Sequence, residues 1–441
     1  MACHLRLPCL GAAFSACLWA RLPPGGGRLG CRSLEARLRS VRFEPVATFS
    51  VRFLGCKVSH LDAQAVRERL LADGHEERPG RADVAIVNGC CVTQEAVAKS
   101  RKLAARLARS HERVFLTGCA ASLPAQALGS LPANVVVVRR PPEDTPALVA
   151  GQVGAIGCVQ TDARLERVRA FVKVQDGCSF SCRFCVIPLV RGPSRSRRAA
   201  AILAEIRRRV DQGHREVVLT GINLGCYRDR EENYDLARLV REAGRVPGLR
   251  RLRLSSLEVN HLTADLLHAL RETPVVARHL HVPLQSGDDR VLRSMGRRYD
   301  VATYLRRVGA AHDFNLTTDC IVGFPGEDER AFRNTLRVVK EAGITKVHVF
   351  PYSPRPGTQT GAEDPVPPAV KAERGARLRE LSRELSVSHW KRKLGEEDLV
   401  LVDRPGRGYG DDYSPWRVAG PVGELVRARA VAVSEEGLVA G

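Results

Sequence analysis

The chain has 441 residues, 44% of them hydrophobic and only 5% aromatic, which is enough for two or three domains with cores built mainly from Ala, Val and Leu. Its 69 Lys and Arg outnumber 49 Asp and Glu, and a net charge of +20 favours a polyanionic partner, nucleic acid before an anionic membrane. The 14 cysteines do not follow a small secreted disulfide framework, and no segment reaches the ~18 apolar residues of a membrane span, so we expect a cytoplasmic protein with metal or redox chemistry and no membrane partner.

Residues 1–47 read as an extension that is poorly ordered. No acid precedes Glu35, and an apolar stretch, Leu7 to Ala20, follows Arg6 and ends before Pro23-Pro24-Gly25. Such a stretch has features of a signal or transit peptide, but exported proteins rarely carry oxygen-sensitive clusters. From Ala47 the pattern becomes regular. "ATFSVRFLGC", "ADVAIVNGC" and "RVFLTGC" each read as a buried strand ending in Gly-Cys, at Cys56, Cys90 and Cys119. Helical spacing lies between them, in "HLDAQAVRERLLADG" and "QEAVAKSRKLAARLARS". This alternation predicts a parallel α/β domain over 48–140, with the three cysteines at the carboxyl edge where ligands bind. Pro141, Pro142 and Pro146 mark a linker over 141–163.

A longer α/β series occupies 164–388. Its strands lie near "AFVKVQ", "EVVLTG", "RRLRLSS", "HLHVPL", "LTTDCIVGF" and "KVHVFPYS", with helices such as 199–212 and 303–312 between them. This is the pattern of a β/α barrel, partial or full. Pro365, Pro367 and Pro368 break it. A charged helix from Ala369 to Lys393 leads into a short β-rich tail, and 389–441 is expected to form a small C-terminal domain. The fold class is therefore α/β with a parallel N-terminal domain, a central barrel and a small β-rich C-terminal unit.

"QDGCSFSCRFCVIP" places Cys178, Cys182 and Cys185 in a Cys-x3-Cys-x2-Cys spacing. Three thiolates on one loop can hold three corners of a four-iron cluster, whose full ligation needs four cysteines. No fourth cysteine lies nearby, so one iron is left open for the amino and carboxylate groups of S-adenosylmethionine (SAM). Phe184 can pack on the adenine. A zinc knuckle is disfavoured because the second short-spaced Cys or His pair is missing. Cys56, Cys90 and Cys119 become neighbours only if their strands are adjacent and parallel, and the repeated strand-Gly-Cys pattern predicts that they are. Cys91 could replace Cys90 as a ligand; we take Cys90 because "VNGC" repeats the pattern. The remaining cysteines, including Cys158, Cys226 and Cys320, read as incidental.

The spacing of Cys178, Cys182 and Cys185 resembles the radical SAM superfamily. By that resemblance Thr220, Gly221 and Asn223 in "LTGINLG" meet the amino group of SAM. Glu258 in "SSLE" and Gln285 in "HVPLQSG" face the same mouth, and Asp319 and Gly323 in "DCIVGFPGE" line the adenine side. From about Thr48 onward the chain is similar to the methylthiotransferase family, which joins a cluster domain, a radical SAM domain and a C-terminal TRAM domain. "FLGCKVSHLDAQ", "HLHVPLQSGDDRVLRSMGRRY", "HVFPYSPRPGT" and "GYGDDYSPWRV" most resemble the MtaB type, which modifies N6-threonylcarbamoyladenosine beside the tRNA anticodon. The usual Asn-Thr-Cys reads Asn88-Gly89-Cys90 here, and Pro415 interrupts an expected strand.

The resemblance implies two 4Fe-4S clusters. The one on Cys178, Cys182 and Cys185 cleaves SAM to a radical that abstracts hydrogen from carbon 2 of the adenine. The one on Cys56, Cys90 and Cys119 supplies sulfur, which a second SAM methylates. It also implies a tRNA substrate, a sulfur donor, and an electron donor such as flavodoxin or ferredoxin. His60, His279 and His281 need no catalytic role. Arg195 and Arg197, just beyond the cluster loop, are expected to touch tRNA phosphates. The rival functions are action on isopentenyladenosine in tRNA, action on a ribosomal-protein aspartate, and a non-catalytic metal-binding RNA module.

Overall fold

The computed structural model describes residues 47–139, 143–154 and 168–441. Residues 1–46 and much of the expected linker lie outside the described residues. The N-terminal domain is a five-stranded parallel sheet. Its strands are β1 (Thr48–Phe53), β2 (Glu76–Glu77), β3 (Val84–Gly89), β4 (Arg113–Thr117) and β5 (Val135–Val137), in the order β2-β1-β3-β4-β5. Period-2 alternation buries both faces. Phe49, Val84, Ile86 and Phe115 pack on one side, and Ala85, Val87, Val114 and Leu116 on the other. Helix α1 (Lys57–Ala72) covers the first face through Val66 and Leu70, and α2 (Gln94–Leu107) covers the second through Ala104.

The segment expected to be a linker over 141–163 is in part a helix, which corrects that expectation. Thr145–Val153 is helical and packs Val149 and Ala150 into the first core beside α1. Pro146 sits in the first turn, where a missing N–H costs nothing, so it opens the helix instead of marking a break.

The central domain has six parallel strands: β6 (Arg169–Lys173), β7 (Glu216–Thr220), β8 (Arg251–Leu254), β9 (His279–His281), β10 (Asn315–Val322) and β11 (Ile344–Pro351). β6-β7-β8 and β9-β10-β11 form two ladders, joined by parallel bridges Leu252–Val276 and Ser256–His281. Among the described residues β11 does not pair with β6, so the barrel is partial. Its base carries a buried charge cluster. Glu216 is fully buried and meets Arg253 at 3.0 Å, Arg251 at 3.3 Å and Arg169 at 3.5 Å. Burial would raise this carboxyl, but Arg253, Arg169 and Arg251 bring it down to about 2.

Because the folded pKa is depressed from 4.5, the stability Glu216 contributes is fully present above pH 4.5 and lost as pH falls toward 2. Glu216→Gln should therefore destabilise the chain at neutral pH by about 3–5 kcal/mol, since it strands buried guanidinium charge. The same change should flatten the acid limb of a pH–stability profile. Thermal unfolding at pH 3 and pH 7 checks both.

The helix Pro368–Arg392 runs unbroken through position 389, and the small domain's strands begin at Glu397. They are β12 (Glu397–Arg404), β13 (Arg407–Tyr409), β14 (Pro415–Arg417), β15 (Leu425–Ser434) and β16 (Gly437–Ala440), closed as a barrel in the order β12-β13-β14-β16-β15. Trp416 fills it against Val400 and Val402. Pro415 does not interrupt a strand; it begins β14, a position that proline tolerates.

Candidate functional site

Cys56, Cys90 and Cys119 follow β1, β3 and β4, three adjacent strands. Glycine is required by geometry at two of these ends. Gly55 has φ +124°, and a Cβ there would sit 3.0 Å from Cys90 Cβ. Gly118 has φ +77°, and a Cβ would strike Asn88 Oδ1. β4 ends at Thr117, so Gly118 and Cys119 begin a helical turn, Gly118–Ala121. The three sulfurs lie within Coulombic reach of one another. Cys91 is fully buried in an apolar cluster with Cys119, Leu123, Val186 and Val190, and its thiol hydrogen-bonds Cys119. That bond and the Arg191 guanidinium, whose Nε donates to Cys119 Sγ at 3.0 Å, hold the Cys119 thiol below its ordinary value against the effect of burial.

Cys178, Cys182 and Cys185 lie on the loop after β6. Burial pushes Cys185 up to about 11. The loop is tied to the segment after β9: Arg183 N donates to Met295 O at 3.0 Å, and Arg297 Nη1 donates to Cys182 Sγ at 3.3 Å. Arg297 also meets Glu258 at 3.5 Å, so Glu258 is a buried, ion-paired acid. A cavity of about 210 Å³ is lined by the three cysteines together with Phe184, Asn223, Glu258, Gln285 and Asp319. Asn223 Oδ1 is buried with no hydrogen-bond partner, a free acceptor in the cavity wall. Gln285 holds φ 65°, a strained conformation fixed by its bonds to Asp319 O and from Ile321 N. Three expected cofactor contacts sit elsewhere. Thr220 is buried with its hydroxyl on Val218 O, Gly221 packs against Gln175, and Gly323 against Lys371. They shape the wall from behind.

A second cavity, about 200 Å³, shares Phe184, Cys185, Gln285 and Asp319 with the first and extends to Val92 and Arg355. It runs from one cysteine set toward the other. Arg355 clamps the two domains there: it bonds Val92 O across the interface, Ser353 Oγ at 2.6 Å and Pro354 O at 3.0 Å. Arg191 makes a second clamp, with Asp62 of α1 at 2.6 Å and Asp176 at 2.9 Å, while Lys173 bridges the same two acids. His60 packs between Phe53 and Phe171 at this interface. His279 Nε2 and His281 Nδ1 both meet Thr317 Oγ1 at 2.9 Å.

Arg197 is held by Glu205 at 2.7 Å and by Lys173 O, and Arg195 by Glu143 at 3.3 Å. A net basic cleft of about 380 Å³ lies between the C-terminal barrel and the barrel base, with Lys346, Arg379, Arg383, Arg404, Arg407 and Arg417 set against Asp403, Glu435 and Glu436 in its walls. Its arginines come from one helix and the three strands after it and are spread singly along them, so no local run announces it.

A family model described as Radical SAM superfamily matches residues 172–339, and one described as Uncharacterized protein family UPF0004 matches residues 48–139. The threonylcarbamoyladenosine tRNA methylthiotransferase MtaB of Chlamydia pneumoniae is 35% identical over 418 residues, covering 90% of this chain and 98% of that protein. The chain belongs to the MtaB-type radical SAM methylthiotransferase family. The MtaB protein of Thermotoga maritima is 34% identical over 89% of this chain and 96% of its own. The tRNA-2-methylthio-N(6)-dimethylallyladenosine synthase of Sorangium cellulosum is 36% identical, over 82% of this chain and 83% of its own. Among solved structures, the radical SAM methyltransferase TsrM of Kitasatospora setae shares the fold, with a TM-score of 0.53 at 15% identity over 71% of this chain and 77% of that one. As a member of the methylthiotransferase family the protein is a transferase that uses SAM and 4Fe-4S clusters. No helix among the described residues is long and apolar enough to cross a membrane.

Proposed function

We propose that the protein adds a methylthio group to carbon 2 of N6-threonylcarbamoyladenosine beside the anticodon of tRNA. The observation that supports this reading is the shared wall of the two cavities, which carries the space beside Cys178, Cys182 and Cys185 on to Val92, whose N–H meets Cys90 Sγ at 3.4 Å. Cys178, Cys182 and Cys185 hold one 4Fe-4S cluster, and Cys56, Cys90 and Cys119 hold the other. When bound, the first cluster with SAM supplies a 5′-deoxyadenosyl radical, and the second supplies sulfur for methylation by a further SAM.

The chain's own residues then bind and orient. Asn223 Oδ1 accepts from the amino group of SAM. Phe184 packs beside the adenine, backed edge-on by Phe324 at 6.0 Å. Arg297 pairs with Glu258 in the wall and donates to the Cys182 sulfur. Gln285 and Asp319 line the passage through which the substrate base meets both sites. Arg355 and Arg191 fix the distance between the domains. The basic cleft supplies phosphate contacts that position tRNA without reading its sequence, and Arg195, partly exposed, adds to them. The reaction draws on a sulfur donor and a one-electron donor such as flavodoxin or ferredoxin. The charge of +20 suits such acidic partners as well as tRNA.

Mass spectrometry of tRNA nucleosides from cells lacking the protein tests the substrate. The expected result is loss of the methylthio group from threonylcarbamoyladenosine with isopentenyladenosine derivatives unchanged. The reverse pattern would assign the isopentenyl substrate instead.

A further inference from the structure

We propose that Arg191 is a positioning residue for the sulfur-supplying cluster. From the end of the loop that carries Cys178, Cys182 and Cys185 it hands one N–H donor across the domain interface to Cys119, and that donor raises the reduction potential of the cluster Cys119 holds. This rests on the reading of Cys56, Cys90 and Cys119 as cluster ligands. Arg191 closes the helical turn Ile187–Arg191, which begins two residues after Cys185. Its side chain is 1% exposed. Every edge of the guanidinium is taken. Nη1 donates to Asp176 Oδ1 at 2.9 Å and Oδ2 at 3.0 Å, Nη2 donates to Asp62 Oδ2 at 2.6 Å, and Nε donates to Cys119 Sγ at 3.0 Å. Asp176 comes two residues before Cys178, so both ends of the first cysteine loop meet beside a ligand of the second set.

Clamping the domains does not need the bond to sulfur, because Lys173 already bridges Asp62 and Asp176 at 2.8 Å and 3.1 Å. An ammonium is a compact point donor and cannot face two carboxylates and a sulfur from three fixed directions. The planar fork of arginine can. The positive charges of Arg191 and Lys173 are matched by the negative charges of Asp62 and Asp176, so the cage meets a neutral network. What acts on it is one N–H dipole aimed at one sulfur. The bonds to Asp62 and Asp176 hold the guanidinium independently of Cys119, and the turn Gly118–Ala121 holds Cys119. The donor therefore stays in place when the sulfur gives up its proton to bind iron. A hydrogen bond to a ligand sulfur draws electron density from the iron and favours the reduced cluster. The loop of one cage thus orients an arm of the other and tunes it.

Arg297 makes the matching contact with Cys182, so the test isolates the second cage: the full chain carrying Cys182→Ala, reconstituted without oxygen, is the parent protein. Arg191→Lys in that parent should still load about four irons. Its one-electron reduction equilibrium, read by EPR during a dithionite titration, should fall about tenfold, or about 59 mV for a one-electron couple. Lysine keeps a positive charge beside Asp62 and Asp176, so a residue that only clamps the domains would leave the potential where it was. With nitrogen-15 arginine in the parent, pulsed EPR of the reduced cluster should show hyperfine coupling to an arginine nitrogen. That signal reads the contact even if Arg191→Lys does not fold. A loaded parent without the coupling, or an unchanged potential in loaded Arg191→Lys, would overturn the proposal. If the parent holds no iron while the wild type holds about four per chain, the reading of Cys56, Cys90 and Cys119 as ligands fails instead.

Discussion

Cys182→Ala is expected to abolish release of 5′-deoxyadenosine from SAM and, with it, all methylthio product. A four-iron cluster with one protein ligand removed has two open irons in place of one, and loses the fixed site at which SAM binds. The change also removes a partner of Arg297, whose Nη1 lies 3.3 Å from the Cys182 sulfur, and leaves a nearly buried guanidinium resting on Glu258 and the Tyr299 ring. Both effects act on the same step. The rate of SAM cleavage should fall by at least about a thousandfold, a loss of ~4 kcal/mol of transition-state stabilisation. Mass spectrometry of 5′-deoxyadenosine and an iron count report it: about four irons should remain per chain where the wild type holds about eight. Retention of full iron and of SAM cleavage would mean that the loop does not hold the reactive cluster.

Cys90→Ala and Cys91→Ala should part company. Cys90 lies within Coulombic reach of both Cys56 and Cys119, so its loss should leave SAM cleavage intact and reduce methylthio insertion by about a hundredfold or more. Cys91 is buried among Leu123, Val186 and Val190, with its thiol on Cys119. Replacing it with alanine opens a small cavity, with an expected cost of about 1 kcal/mol in stability and little effect on product. Product analysis and thermal unfolding of the two variants together decide the ligand. A Cys90→Ala protein with normal product would move the ligand to Cys91.

Features governed by local periodicity were legible in the sequence. The strand-Gly-Cys repeats placed Cys56, Cys90 and Cys119 on one sheet edge because each strand is short and runs into a glycine, which the turn needs at Gly55 and Gly118. Six apolar runs marked the six barrel strands. Contacts between distant segments were not legible. Nothing near Arg297 signals that it will touch Cys182, and nothing near Arg191 or Asp62 signals a charge network across two domains. The basic cleft was hidden because its arginines are spread singly along one helix and three strands, while the visible run at Arg195 and Arg197 proved partly engaged with Glu143 and Glu205. Prolines misled twice, at Pro146 and Pro415, because each opens an element that a mid-element proline would break.

The turn Tyr409–Ser414 ties the C-terminal barrel to the central one. Arg253 donates to Gly410 O at 3.3 Å and Asp411 O at 3.2 Å, Asn315 donates to Asp412 O at 2.7 Å, and the Tyr413 ring lies 4.9 Å from His279. These residues cover the base of the central barrel. The three parts of the chain are thus interlocked, not strung as beads. A truncation before Gly410 would expose the arginines around Glu216 to solvent. The C-terminal barrel could not be exchanged for another without rebuilding the contacts it makes with Arg253, His279 and Asn315.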